Sequence, residues 1–270
     1  IRDSMPEGHV LHRLAHRFNA EFRGQPLSVT SPQGRFPEAA LVDATVLERA
    51  DAIGKHLFLH FSNGHIIHIH LGLIGHFTFE DLDNFRGQIR LRVANREQAA
   101  NLRGPQWCRL ITDDDYARVC EKAGEDPLRD DASPDAVFAR VRRSRRTIGS
   151  LLMDQQLYAG VGNIYRAETL FRQGISPFRA GRDCSLGELR AVWDDLVELM
   201  RIGVSRGRID TVRDEHSPEA MDRPPRKDDH GGEVYVYRRA GDPCYVCGTP
   251  IASAVVEGRN LFWCPDCQGE

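Results

Sequence analysis

Two Cys-x-x-Cys pairs, Cys244/Cys247 and Cys264/Cys267, stand sixteen residues apart. Four thiolates at that spacing suit tetrahedral zinc, with redox dithiols as the alternative. A closed four-thiolate shell leaves no open coordination position, so such a metal stabilises and does not catalyse. Between the pairs, apolar residues 251–256 and 261–263 flank Glu257-Gly258-Arg259-Asn260, which reads as a hairpin turn. Cys108, Cys120 and Cys184 have no pairing pattern and read as core residues.

A second signal is Gly160-Val161-Gly162-Asn163 between two helical runs. Asn163 stands where an N-cap belongs, and the glycines let the backbone turn sharply. A helix start beside a tight turn offers N–H donors to a phosphate; ordinary capping is the plainer reading. His68 and His70 lie two apart on an expected strand and share a face, with His56, His60, His65 and His76 nearby. A hydrolytic metal site is one reading of them. Solvated or phosphate-facing rings are the other, favoured because no carboxylate lies at ligand spacing. Leu73-Ile74 between glycines reads either as core or as a wedge for a base stack. Taken alone, Pro6-Glu7 is a plain helix start.

The elements that must position these residues follow from pattern. Residues 6–24 carry Val10, Leu11, Leu14, Ala15, Phe18 and Phe22 at helical spacing. Short apolar runs at 57–61, 65–71 and 89–93, parted by turns such as Ser62-Asn63-Gly64, predict a β-rich sandwich or flattened barrel to about residue 110. A short helix and a linker are expected over 113–134, then helices near 135–143, 147–157, 163–173 and 186–203. The polar stretch 206–232 reads as a mobile loop.

At 270 residues the chain is long enough for two domains or one large one. Its 41% hydrophobic and 28% charged residues, with mean hydropathy −0.44, are those of a globular protein. No apolar run approaches the roughly 20 residues of a membrane span, and the first residues hold no signal-peptide core. Membrane insertion and secretion are not expected, and the cysteines read as reduced thiols or metal ligands. Of 36 basic residues only Lys55, Lys122 and Lys227 are lysines. Residues 111–135 sum to −6, whereas residues 140–182 carry nine arginines and sum to +7. Such a patch suits a polyanion, against the alternative of a solvated helix face.

Met5-Pro6-Glu7-Gly8, Gly54-Lys55-His56, the run His70-Leu71-Gly72-Leu73-Ile74-Gly75, Gly160-Val161-Gly162-Asn163-Ile164-Tyr165 and the four-cysteine finger with Arg259 occur in order from residue 5 to 267. Together they resemble the formamidopyrimidine-DNA glycosylase/endonuclease VIII family, the endonuclease VIII branch most nearly. The resemblance implies an α+β multidomain fold: an N-terminal helix plus β-sandwich, then a helix–two-turn–helix domain with a C-terminal four-cysteine zinc finger. The domains expected are 5–128, 129–232 (with its mobile loop) and 233–270. It implies Pro6 as Schiff-base nucleophile, Glu7 as proton donor, and Lys55 as proton donor or phosphate contact. His70, Asn163 and Arg259 would hold phosphates, Leu73 would fill the gap left by an everted nucleotide, and Cys244, Cys247, Cys264 and Cys267 would bind one structural zinc. The chain departs from the family in two places. His9-Val10 replaces a frequent Pro-Glu, and Gln106 and Cys108 stand where the formamidopyrimidine branch inserts arginine and phenylalanine.

The chemistry can be weighed apart from the family. A glycosylase that also cuts the strand needs an amine to attack C1′. An unperturbed lysine of pKa ~10.4 is about 0.04% neutral at pH 7, whereas an α-amine of pKa ~7.8 is about 14% neutral. A terminal proline at a helix start gains further, because the positive helix end disfavours its protonated form. With residues 1–4 attached, however, the Pro6 nitrogen is a tertiary amide with no available lone pair. Those residues therefore read as a cloning remnant or upstream mis-start, with Met5 removed by processing. The function expected is a bifunctional glycosylase/AP lyase of base excision repair, acting mainly on oxidised pyrimidines by β,δ-elimination. Its partner would be damaged double-stranded DNA, with single-stranded and bubble DNA left open. A monomer in the cytoplasm, at the nucleoid, is expected. The alternatives are a non-catalytic zinc-finger DNA-binding protein, a glycosylase preferring oxidised purines, and a histidine-metal hydrolase.

Overall fold

The computed structural model describes residues 6–227 and 232–269. The expectations for Met5 and for residues 1–4 lie outside the described residues. The chain divides into two compact units, residues 1–123 and 124–270.

In the first unit α1 (Gly8–Glu21) follows an extended Glu7, which is its N-cap. Pro6 thus stands one residue before the cap and not in the first turn, as the sequence pattern had it. Leu11, Ala15, Phe18 and Phe22 recur at helical spacing and are buried. Eight strands follow: β1 (Ser28–Thr30), β2 (Leu47–Ile53), β3 (His56–Phe61), β4 (Ile66–His70), β5 (His76–Glu80), β6 (Leu91–Ala94), β7 (Ala99–Arg103) and β8 (Trp107–Ile111). They make two four-stranded antiparallel sheets, ordered β1-β6-β7-β5 and β2-β3-β4-β8. Alternation sends Leu57, Leu59, Phe61, Ile67 and Ile69 of the second sheet into one core with Leu91, Val93, Ala100 and Leu102 of the first. Each of the Leu, Ile, Val and Phe side chains contributes about 1.5–3 kcal/mol by burial. The other face of β3 and β4 puts Phe58 and Ile66 against α2 (Asp113–Lys122), which a Thr112/Asp115 capping box starts. The expected helix plus sandwich is present.

The second unit holds α3 (Asp135–Val141), α4 (Ile148–Leu151), α5 (Asn163–Arg172), α6 (Leu186–Arg206), the hairpin β9 (Ala252–Val256)/β10 (Arg259–Trp263), and α7 (Pro265–Gln268). The helix expected over 147–157 lasts a single turn. After Leu151 the Asp154 carbonyl accepts from the Leu157 and Tyr158 N–H groups. The Gln155 amide then accepts from the Gly160 N–H and donates to the Val161 carbonyl, so turns replace the helix. Gly160 takes a left-handed φ of 88°, which favours glycine. Two helices joined by two turns result. The fully buried Glu168 carboxylate of α5 accepts from the N–H groups of Tyr235, Val236 and Tyr237 at 2.7, 2.9 and 2.9 Å and from the Thr211 hydroxyl. It thereby ties the segment leading to the finger onto α5. The polar stretch 206–232 is packed along part of its length: Ile209, Asp210 and Thr211 are buried, and Arg223 pairs with Glu233 at 2.8 Å. Among the described residues, no helix is long and apolar enough to cross a membrane.

Candidate active site and nucleic-acid interface

In the first unit, Pro6 lines a cavity of about 210 Å³ with Val10 and Leu14 of α1 and with Leu71, Leu73 and Ile74. Leu73 and Ile74 are 60% and 65% exposed, which is unusual for side chains of that size, and they cap the loop that follows β4. Two glycines force its shape. A Cβ on Gly75 would lie 2.2 Å from the Leu71 carbonyl oxygen. Gly72 has φ +68°, and a Cβ there would meet that of Gln106 at 2.8 Å. The Gln106 N–H closes the loop from the other side, donating to the His70 carbonyl at 2.9 Å. The structure thus places the core-or-wedge pair at the surface. Ile74, to which the family resemblance gave no role of its own, shares the cavity with Leu73; the flanking glycines were the signal for both.

Glu7 is buried, as is Lys55, which sits in the turn between β2 and β3. Lys55 lies beside His70: β3 and β4 pair His56 with His70, and burial followed by the Lys55 charge pushes the His70 pKa down. The Nδ1 of His70 accepts from the Gly72 N–H at 3.1 Å, so the neutral ring carries its proton on Nε2 and can donate from there. His56 and His68 share a hydrogen bond of 2.9 Å, and burial, then neighbouring cationic groups, lowers them to about 4 and about 3. His60 is held by Asp51 at 2.9 Å. Among the described residues these histidines do not converge as a group of three or more metal ligands, and their ring nitrogens meet one another, Asp51 and the backbone instead. His9 is likewise buried and lowered to about 3. Cys108 is buried in the sandwich core, whereas Gln106 is exposed.

In the second unit the N-cap of α5 is Gly162, not Asn163. Asn163 is the first helical residue, and its amide does other work. The Nδ2 donates to the Asn260 carbonyl at 2.9 Å, while Oδ1 accepts from Arg166. This bond brings the start of α5 to the finger hairpin, next to Arg259. The exposed Arg259 opens β10 opposite Val256, after a turn in which Glu257 and Gly258 take φ of 50° and 75°. Asn163 and Arg259 are therefore neighbours through the backbone of Asn260.

The four finger cysteines present sulfurs all within 4.8 Å of one another, the one such ligand cluster among the described residues. Cys244–Cys267 and Cys247–Cys264 are 3.9 and 3.4 Å apart at sulfur. Tetrahedral zinc with Zn–S near 2.3 Å requires edges of about 3.8 Å, so the donor set fits zinc.

Three family models match in order: the formamidopyrimidine-DNA glycosylase N-terminal domain over 5–106, its H2TH domain over 123–214, and a zinc finger found in FPG and IleRS over 241–269. The chain is 49% identical to Endonuclease 8 1 of Mycobacterium tuberculosis, covering 98% of this chain and 100% of that protein. It is 31% identical to the formamidopyrimidine-DNA glycosylase of Thermus thermophilus, covering 98% and 99%. Among solved structures, the MutM (Fpg) protein of Thermus thermophilus superposes with a TM-score of 0.77 at 27% identity, over 98% of this chain and 99% of that one. The Lactococcus lactis Fpg in complex with abasic-site DNA gives 0.80 at 20% identity, over 98% and 100%, a likeness of fold.

Proposed function

The chain belongs to the formamidopyrimidine-DNA glycosylase/endonuclease VIII family and is a bifunctional DNA glycosylase/AP lyase of base excision repair, and we propose that Pro6 is its nucleophile and oxidised pyrimidines its main substrates. The observation that carries this reading is the cavity in which Pro6, beside the positive end of α1, meets the exposed Leu73. A free Pro6 amine attacks C1′, and the C1′–N bond breaks as the base leaves with a proton from Glu7. Such acid–base assistance is worth about 10²–10⁴ in rate. The adduct loses its amine proton, and the sugar ring opens at C1′–O4′ with O4′ taking up a proton; the resulting iminium acidifies the C2′ protons. Elimination of the 3′ and then the 5′ phosphate leaves a gap with phosphates at both ends.

Lys55 and the Nε2–H of His70 donate to phosphate in the first unit, and Asn163 and Arg259 in the second. Residues 5–128, 129–232 and 233–270 act as catalytic, DNA-binding and finger domains. One zinc ion serves the finger, and the closed four-sulfur shell supports a structural role. The working form is a monomer on damaged duplex, which places it at the nucleoid in the cytoplasm.

The lesion preference rests on what fills the gap. Extruding a base costs a few kcal/mol, which an inserted side chain partly recovers. Cys108 is buried in the core, and Gln106 offers less bulk than the arginine and phenylalanine of the formamidopyrimidine branch, leaving the exposed Leu73 with its neighbour Ile74 as the filler. Under single turnover, excision of oxidised pyrimidines and strand cutting at abasic sites should therefore both be faster than processing of 8-oxoguanine opposite cytosine. The reverse ranking would overturn the preference.

A further inference from the structure

Antiparallel register sets three rings in a row across the second sheet. His56 of β3 pairs with His70 of β4, and His70 pairs in turn with Trp107 of β8. Side chains at paired positions share a face, so the His70 ring lies between two aromatic neighbours. Its centroid is 4.6 Å from that of Trp107, at an interplanar angle of 31°. It is 5.2 Å from that of His56, which it meets at 62°.

Both neighbours are themselves held. His56 shares its 2.9 Å hydrogen bond with His68, a buried ring stacked on Phe58 at 4.6 Å. The Arg109 guanidinium lies over Trp107, 4.8 Å from the ring centre, where the electron-rich face attracts a cation. The Trp107 indole N–H is buried and has no hydrogen-bond partner among the described residues, so its contribution is the ring face and not the polar end. Gln106, the residue before it, donates its N–H to the His70 carbonyl. The main chain and the ring of one dipeptide therefore fix both ends of that histidine. Lys55, His56, His68 and Arg109 are the charged and titratable groups around the row in the first unit.

We propose that Trp107 is a positioning residue for His70: its ring face, opposed by His56, holds the imidazole so that Nδ1 stays on the Gly72 N–H and the Nε2–H is left for a phosphate oxygen. This proposal rests on the reading of His70 as a phosphate contact. A donor fixed before binding loses little further side-chain entropy when it meets its acceptor. A loosened neutral ring also presents Nε2 as an acceptor, which is the wrong polarity for phosphate.

The test reads the imidazole directly. Long-range proton–nitrogen NMR spectra are recorded on the full chain for the wild type, Trp107→Leu and Trp107→Phe, with zinc content and melting temperature confirming the fold. Affinity for a duplex carrying a tetrahydrofuran abasic analogue is measured alongside. In the wild type at neutral pH, His70 should be the Nε2–H tautomer; an Nδ1–H ring overturns the proposal without any variant. Trp107→Leu should mix the tautomers and move the His70 titration midpoint up toward about 6.5, because burial that disfavours the charged ring is lost. It should also weaken duplex binding about two- to tenfold, the worth of one hydrogen bond. Trp107→Phe, which keeps a ring face, should keep the tautomer and the affinity. An unchanged His70 spectrum in Trp107→Leu overturns the proposal, as does a Trp107→Phe protein altered as much as Trp107→Leu. His70→Ala separates the two readings. Unweakened duplex binding in His70→Ala, with the Trp107→Leu spectrum shifted as stated, removes the phosphate reading and supports the positioning of the ring. Weakened binding in His70→Ala with an unchanged Trp107→Leu spectrum leaves the phosphate reading intact and removes the positioning.

Discussion

The histidines show how far a residue's type falls short of its role. His9, His56 and His68 are neutral when folded because burial disfavours their charged forms, with values near 3, 4 and 3. Unfolded, each returns to about 6.5, so the unfolded chain binds more protons below that pH. Their contribution to stability is complete above pH 6.5 and falls as the pH drops toward 3–4, by up to ~1.4 kcal/mol per pH unit for each ring. Urea unfolding at pH 7 and pH 5 should show this loss, and His68→Phe should flatten the slope by about one proton. An unaltered pH dependence in that variant contradicts the assignment. The six clustered histidines were legible in the sequence, but their states were not. Which rings are buried, and that the Nδ1 of His70 faces the Gly72 N–H, depend on strand register and on a loop closed by Gln106.

At the scale of elements, the finger couples metal to DNA contact. The Asn163–Asn260 bond joins α5 to the hairpin that carries Arg259, and that hairpin stands between the two cysteine pairs. A structural zinc site contributes roughly 10–16 kcal/mol of apparent binding free energy, far more than a two-stranded hairpin supplies alone. Cys264→Ser should therefore lose zinc, unfold the hairpin and weaken duplex binding at least tenfold, read by metal content and titration. Full metal and full affinity in that variant would refute the coupling. The hairpin was legible because apolar runs flank Glu257-Gly258, and the long helices were legible from their periodicity. The stretch 147–157 misleads for a physical reason. Its apolar spacing fits a helix, yet Asp154 and Gln155 bond the backbone ahead of them and end it after one turn. The Asn163 cap fails similarly, because its amide is drawn to Asn260, nearly a hundred residues away in sequence.

Over the whole molecule, the sequence carries the order of parts and the local chemistry of each, since glycine turns, cysteine pairs and helical stripes are short-range signals. What it hides are long-range meetings: Leu73 with Pro6 in one cavity, and Cys108 withdrawn into the core. The central claim is that the amine of Pro6 performs the covalent step. Borohydride trapping on an abasic duplex, followed by peptide mapping, tests it directly with chains beginning at Ile1 and at Pro6. The chain beginning at Pro6 should trap, with the DNA on the Pro6 nitrogen. The chain beginning at Ile1 should bind without trapping, and Lys55→Ala should bind less yet still form the adduct. DNA mapped to Lys55 with Pro6 unmodified, or equal trapping by both chains, would contradict the account.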